Sequence, residues 1–264
     1  MSAIYKRELR AFFSSPIGYI FVAVFFAVNG ALFNYMVLRS SDSGGIGTYY
    51  MTILFLFIII IPLLTMKLFS DERRQHTEQL LLSAPVRLGA MVCGKFFAAY
   101  TVFAGTFLLS ELLGMIPLYT YGSPNTALLV NPLQAFYFII FIICLQQLDG
   151  NVIGPKILGN TVGILLIGAA FVAMGTFFSS LTESQLVSAL VTMFFIALLL
   201  LVSMLNSYID SAFVRTVLNW ISIFSRFYDF SYGIFNFTSL FYYASIVFVF
   251  LFLTVRVYEK KRWA

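Results

Sequence analysis

YMTILFLFIIIIPLLTMKLFSDERR, residues 50–74, sets an apolar run from Tyr50 to Leu68 directly against a charged tail of Asp71, Glu72, Arg73 and Arg74. About 20 apolar residues are needed to carry a helix across ~30 Å of hydrocarbon, and this run has that length. The same pattern recurs outward in both directions, at Ile17 to Leu38, Val92 to Leu118, Gly163 to Leu181, Leu186 to Leu205 and Leu240 to Val257. The whole chain follows suit, with 61% apolar residues, 10% charged residues and a mean hydropathy of +0.94. A soluble domain of this length needs far more polar surface to cover its core. Lipid offers no partner to backbone N–H and C=O groups, so each run satisfies its own as a helix, and the alternating pattern of a membrane barrel is absent. The expected fold is all-α and integral to the membrane, one transmembrane domain over residues 1–264 with six principal spans.

The net charge of +5 has an explanation other than nucleic acid. Lys6, Arg7 and Arg10 precede the first span; Lys67, Arg73, Arg74, Arg87 and Lys95 surround the second-to-third connection; Arg256, Lys260, Lys261 and Arg262 follow the last span. The opposite loops carry Arg39, Arg215 and Arg226. This positive-inside bias places both termini and the 67–95 connection in the cytoplasm. A nucleic-acid binder would interleave basic and aromatic residues on one soluble face, which this chain does not. Cys93 and Cys144 lie in or beside apolar segments and read as buried thiols. The N-terminal apolar stretch is too long for a signal peptide and lacks a small-x-small exit, so it reads as a retained span.

Between the spans, residues 3–16 (AIYKRELRAFFSSP) combine Ile4, Leu9, Phe12 and Phe13 with Lys6, Arg7 and Arg10, the pattern of a helix lying in the interface. Pro16 and Gly18 then turn the chain into the first span. Residues 40–47 form a short external loop. Residues 70–87 (SDERRQHTEQLLLSAPVR) read as a short amphipathic cytoplasmic helix. Ser70 is its expected N-cap, Asp71 and Glu72 lie in its first turn, the Leu80–Leu82 triplet is its apolar group, and Pro85 is its stop. Residues 206–238 carry a helical period at Ile209, Phe213, Val217, Trp220, Ile221 and Phe224. Trp220, Phe227, Tyr228, Phe230 and Tyr232 are of the kind that settle at headgroup level, so this segment is expected on or in the outer leaflet as external interfacial helices.

Catalytic chemistry finds little support. GAMVCGK, residues 89–95, matches the first seven positions of a phosphate loop, but Phe96 follows where Ser or Thr would hold Mg²⁺, and no strand precedes it. His76 is the single histidine, and it falls in the cytoplasmic connection. The expectation is that the chain is not an enzyme and holds no cofactor or metal. Glu111 stands apart. An ionised side chain mid-way along the third span costs at least ~2.5–3.5 kcal/mol, so Glu111 should face the protein interior or an aqueous path, or be protonated. A substrate-path role and a helix-packing role both fit it.

Four stretches resemble the ABC-2 type permease family, in particular the compact permeases of the gliding-motility type. They are Tyr5-Lys6-Arg7-Glu8-Leu9 with Phe13, Ser15, Pro16, Gly18 and Tyr19; residues 72–86 with Gly94-Lys95; Phe178 to Gln185 (FSSLTESQ); and Arg226-Phe227, Asp229-Phe230 and Gly233. The resemblance implies the permease subunit of an ABC transporter in a bacterial inner membrane, exporting substrate by ATP-driven alternating access. It implies a second permease subunit, as homo- or heterodimer, and an ATP-binding subunit carrying the ATP and Mg²⁺. Residues 70–86 become its coupling helix, with Glu72, Arg73, Thr77, Glu78, Leu81 and Leu82 as docking residues.

Residues 131–160 exceed that pattern. Gln146 to Asn151 (QQLDGN) with Gly154-Pro155-Lys156 resembles a motif of the AI-2E transporter family. An ion-driven secondary carrier using Glu111 and residues 147–156 is therefore the alternative reading, and a non-transporting scaffold is a third. A single crossing within 131–160 would put the C-terminal basic cluster outside, against the positive-inside rule. Asp149 to Asn160 reads as too short and too Gly/Pro-broken to cross back as a helix. An even-parity hairpin or surface excursion is thus expected. Cysteine labels at Ser123 and Ala264 should then react from opposite sides of the membrane; labelling from one side contradicts the excursion.

Overall fold

The structure, a computed structural model, describes residues 2–33, 35–36, 45–74, 87–120, 153–205, 213, 218, 220, 222–231 and 236–263. Among them the regular elements are all helical. They are α1 (Ser2–Ser14), α2 (Pro16–Phe33), α3 (Gly45–Thr65), α4 (Lys67–Arg74), α5 (Leu88–Thr120), α6 (Ile153–Leu181), α7 (Gln185–Leu205), α8 (Phe227–Ser231) and α9 (Phe237–Trp263). Among the described residues, five stretches are long and apolar enough to cross a bilayer: Thr48–Arg74, Leu88–Glu111, Gly159–Leu181, Gln185–Met204 and Phe237–Arg262. A sixth arises if α1 and α2, bent by 70°, count as one broken span. Each apolar run of the sequence is thus helical where it is described, and the chain is a multi-pass membrane protein.

The bend between α1 and α2 has a local cause. Pro16 opens α2, where its missing N–H costs no helical bond. Gly18 follows because a Cβ there would lie 2.1 Å from the Phe12 carbonyl oxygen. α1 has two faces, with one departure from expectation. Ile4, Leu9 and Phe12 pack against the core, while Lys6, Arg7 and Arg10 are exposed and so is Phe13.

α4 continues α3 after a one-residue break at Met66, whose N–H still donates to Pro62 O at 2.9 Å. The Met66 carbonyl accepts the hydroxyls of both Ser70 and Ser179. Ser70 therefore does not cap a helix. It lies inside α4 and bonds back to the residue four before it, because a carbonyl at the break competes for its hydroxyl. Asp71 and Glu72 accordingly sit late in α4, not in a first turn, and Arg73 and Arg74 occupy its last turn, where cations suit the helix dipole. Residues 75–86, with His76 and the Leu80–Leu82 triplet, lie outside the described residues.

α6 is the central element, packed against α3, α5, α7, α8 and α9. Its glycines permit this. A Cβ at Gly168 would meet the Phe103 ring at 2.0 Å, and that ring in turn sits edge-on to Phe57 at 5.2 Å. Close approach of helices through small residues is how membrane bundles gain packing where lipid gives no hydrophobic drive. By contrast, α7 and α9 leave large side chains such as Phe194, Phe241 and Phe248 exposed, faces that in a bilayer meet lipid or another helix.

Two expectations need correction. Residues 153–160 are not broken by their Gly-Pro pair but open α6, since proline is tolerated in a helix's first turn. The rest of 131–160, like Cys144, falls outside the described residues. In the 206–238 segment, Phe227 and Phe230 are not headgroup aromatics but core residues, buried against Gly163. Trp220 and Tyr228 are exposed as expected, and residues 237 and 238 already belong to α9. Ile209, Val217, Ile221 and Tyr232 lie outside the described residues.

One pole of the bundle gathers the start of α5, the end of α6, α1, α4 and the end of α9. Arg73 Nη1 donates to Leu181 O at 2.8 Å, and Lys261 Nζ approaches Ser180 O at 3.4 Å. α5 leaves this pole and α6 returns to it.

Candidate functional site

The basic pole is built on a buried ammonium. Lys95, counted among the cations flanking the third span, lies in the second turn of α5 with 1% of its side chain exposed. Its three protons have three acceptors within reach: Leu68 O at 2.7 Å, Glu72 Oε1 at 2.8 Å and Glu8 Oε1 at 3.5 Å. The ammonium also stands 4.9 Å from the Phe69 ring centroid. Arg7, 54% exposed, closes the cluster from outside, with Nη2 at 2.6 Å from Glu8 and 3.2 Å from Glu72. Two cations and two carboxylates thus form a neutral set joining α1, α4 and α5. Helix periodicity places the α4 contacts: Leu68 and Glu72 are four apart and share a face.

The other face of α4 is bound to the α6–α7 turn. The N–H groups of Phe69 and Ser70 donate to Ser179 Oγ at 3.1 and 3.3 Å. Arg73 Nη2 lies 3.0 Å from Glu183, and Gln185 Nε2 donates to Asp71. Phe69 packs on Tyr258 of α9, with centroids 5.1 Å apart. Of the expected docking residues, Glu72 and Arg73 are therefore engaged within the chain, and Thr77, Glu78, Leu81 and Leu82 lie outside the described residues; Arg74, not among them, is exposed at the tip of α4. GAMVCGK is α5 helix throughout, with the lysine ammonium engaged by carboxylates. Among the described residues, no group of three or more His, Cys, Asp and Glu side chains could hold a metal ion.

Glu111 lies further along α5, 16 residues and ~24 Å of helix rise beyond Lys95. Counted from Lys95, it lies well past the middle of a ~30 Å slab rather than mid-way along its span. It is buried, and both oxygens are engaged: Tyr50 donates to Oε2 at 2.7 Å and Tyr49 approaches Oε1 at 3.4 Å. Tyr49 also donates to Asn29 Oδ1 at 3.1 Å, and Asn29 Nδ2 to Ser110 Oγ at 2.8 Å. Tyr50 shares a further hydrogen bond with Thr161. The network therefore joins α2, α3, α5 and α6 in one buried knot. Asn29, Tyr49 and Tyr50 were not among the sequence candidates, although an asparagine in the first apolar run was a signal available there.

The family model described as ABC-2 family transporter protein matches residues 19–215, about three quarters of the chain. The chain belongs to that family, whose members form the membrane component of an ABC transporter and generally work with an ATP-binding subunit. No curated protein matches the chain.

Tyr50→Phe should lower the thermal stability of the purified chain by about 1–3 kcal/mol, the loss of a buried hydrogen bond to a carboxyl group. Adding Glu111→Gln should recover part of that loss, because the two groups are coupled. Additive effects in thermal unfolding of the two single variants and the double would contradict the knot.

Proposed function

We propose that this chain is the membrane-spanning subunit of an ATP-driven exporter and that it operates by alternating access. ATP and Mg²⁺ are held by a partner ATP-binding subunit, two of which close on each other beneath a pair of permease subunits. Residues 70–86 form the coupling segment. In this reading Glu72 and Arg73 anchor the segment to the bundle, while Thr77, Glu78, Leu81 and Leu82 meet the partner. The basic pole is then the cytoplasmic face of a bacterial inner membrane, with both termini on that side.

The observation that carries this reading is the convergence of three separate family-like stretches at one pole. Tyr5 to Leu9, Glu72-Arg73 with Gly94-Lys95, and Phe178 to Gln185 are far apart in sequence. They meet around α4 through Glu8, Lys95, Ser179 and Glu183. A segment whose base is fastened to helices on both sides is placed to pass a displacement into the bundle. Glu111 serves this mechanism as a packing hub at the far pole: its two oxygens are already engaged by tyrosines.

The test is a mild-detergent pull-down of the tagged chain from its native host, read by mass spectrometry. A co-purifying ATPase with a Walker motif, lost on Leu81→Asp or Leu82→Asp while the variant stays folded, is the expected result. A folded, abundant bait that brings down no such ATPase would overturn the proposal and return weight to an ion-driven carrier.

A further inference from the structure

We propose that Lys95 is a positioning residue: it binds α1, α4 and the base of α5 into one mechanical unit, so that a displacement of α4 carries the N-terminal helix with it. What α4 is displaced by rests on the reading above; the unit itself does not.

The case begins with burial. An ammonium at 1% exposure has given up its hydration and requires replacement partners. An apolar side chain could fill the same volume without that demand, so the charge must be explained by what it holds. It holds two carboxylates from two different helices, Glu8 of α1 and Glu72 of α4. Without Lys95, these acids would face each other with Arg7 alone between them, and Arg7 is half exposed and screened by solvent. The two acids would then tend to part, and the groove between α1 and α4 would open.

Direction matters as well as strength. Lys95 grips α4 twice on one face, at the Leu68 carbonyl and at Glu72. α1 is also tied to α5 one and a half turns further on, where Tyr5 donates to Thr101 Oγ1 at 3.3 Å. With contacts at both levels, α1 cannot pivot about a single point on α5. The direction of the chain at Arg74, the last described residue before 75–86, is set by α4, and α4 is held by Lys95. The opposite side of α4 is held by the Ser179 hydroxyl, by Gln185 on Asp71 and by Arg73 on the Leu181 carbonyl and the largely exposed Glu183, with no buried ammonium among them.

The experiment places spin labels on cysteines at Arg10 and Arg74, both exposed, with Cys93 and Cys144 replaced by serine, in the full-length chain in lipid nanodiscs. Pulsed dipolar spectroscopy then reads the α1–α4 distance. The parent should give one narrow distance peak, and Lys95→Met a broad distribution shifted to longer distances. Lys95→Met with Glu72→Gln removes the stranded acid, so thermal stability should return toward the parent while the distribution stays broad. Lys95→Arg, which keeps the charge, should restore the narrow peak. A separation of fold from position in this way is not what a merely structural residue gives.

If the double variant keeps the narrow peak, apolar packing alone holds α1 to α4 and the proposal is wrong. Should the Lys95 variants fail to fold, Glu8→Gln decides: broadening supports the unit and an unchanged peak overturns it. None of these readouts needs an ATPase. A parent chain that recruits no ATPase from its host would therefore sink the functional reading and leave the positioning result to stand or fall by itself.

Discussion

A lysine ammonium taken out of water is the constraint from which the basic pole follows. Removing one partner of a buried ion pair costs about 3–5 kcal/mol, because the remaining charge has nowhere to go. Lys95 meets that demand with one carbonyl and two carboxylates drawn from α1 and α4. α4 must therefore lie where Leu68 and Glu72 can reach α5, which turns Phe69, Ser70 and Arg73 toward the α6–α7 turn. Ser179 and Glu183 meet them there. Eight residues of α4 in this way become the junction of the N-terminal and C-terminal halves of the bundle.

The two charged side chains of α5 stand 16 residues apart along it. Lys95 anchors one pole and Glu111 the other, with tightly interlocked apolar packing between them, where Gly168 admits Phe103 and Phe103 stacks on Phe107 at 6.3 Å. Packed interiors of this kind shift between discrete arrangements rather than deforming continuously.

The spans were legible because length and apolarity are properties of each segment alone. What failed to show in the sequence depended on partners elsewhere in the chain. Ser70 has the chemistry of a helix cap, but the Met66 carbonyl and Ser179 decide what it does. Phe227 and Phe230 have the composition of headgroup aromatics, but Gly163 leaves room for them in the core. Gly154-Pro155 reads as a break and is a beginning, since the same residues suit a helix's first turn. Glu111 was visible as an anomaly, yet its donors, Tyr49 and Tyr50, are set by how α3 packs on α5. Lys95 was counted among the flanking cations and proved to be the buried one. The docking roles of Thr77, Glu78, Leu81 and Leu82 rest on the family resemblance.

The central claim is that the α4 pole faces an ATPase. A photo-crosslinking amino acid placed at Arg74, and separately at Tyr228 on α8, tests it in the native host, since both positions are exposed. The account predicts a crosslinked Walker-motif ATPase from position 74 and none from position 228. An ATPase captured at 228, or at neither position while both variants are folded and expressed, would contradict it.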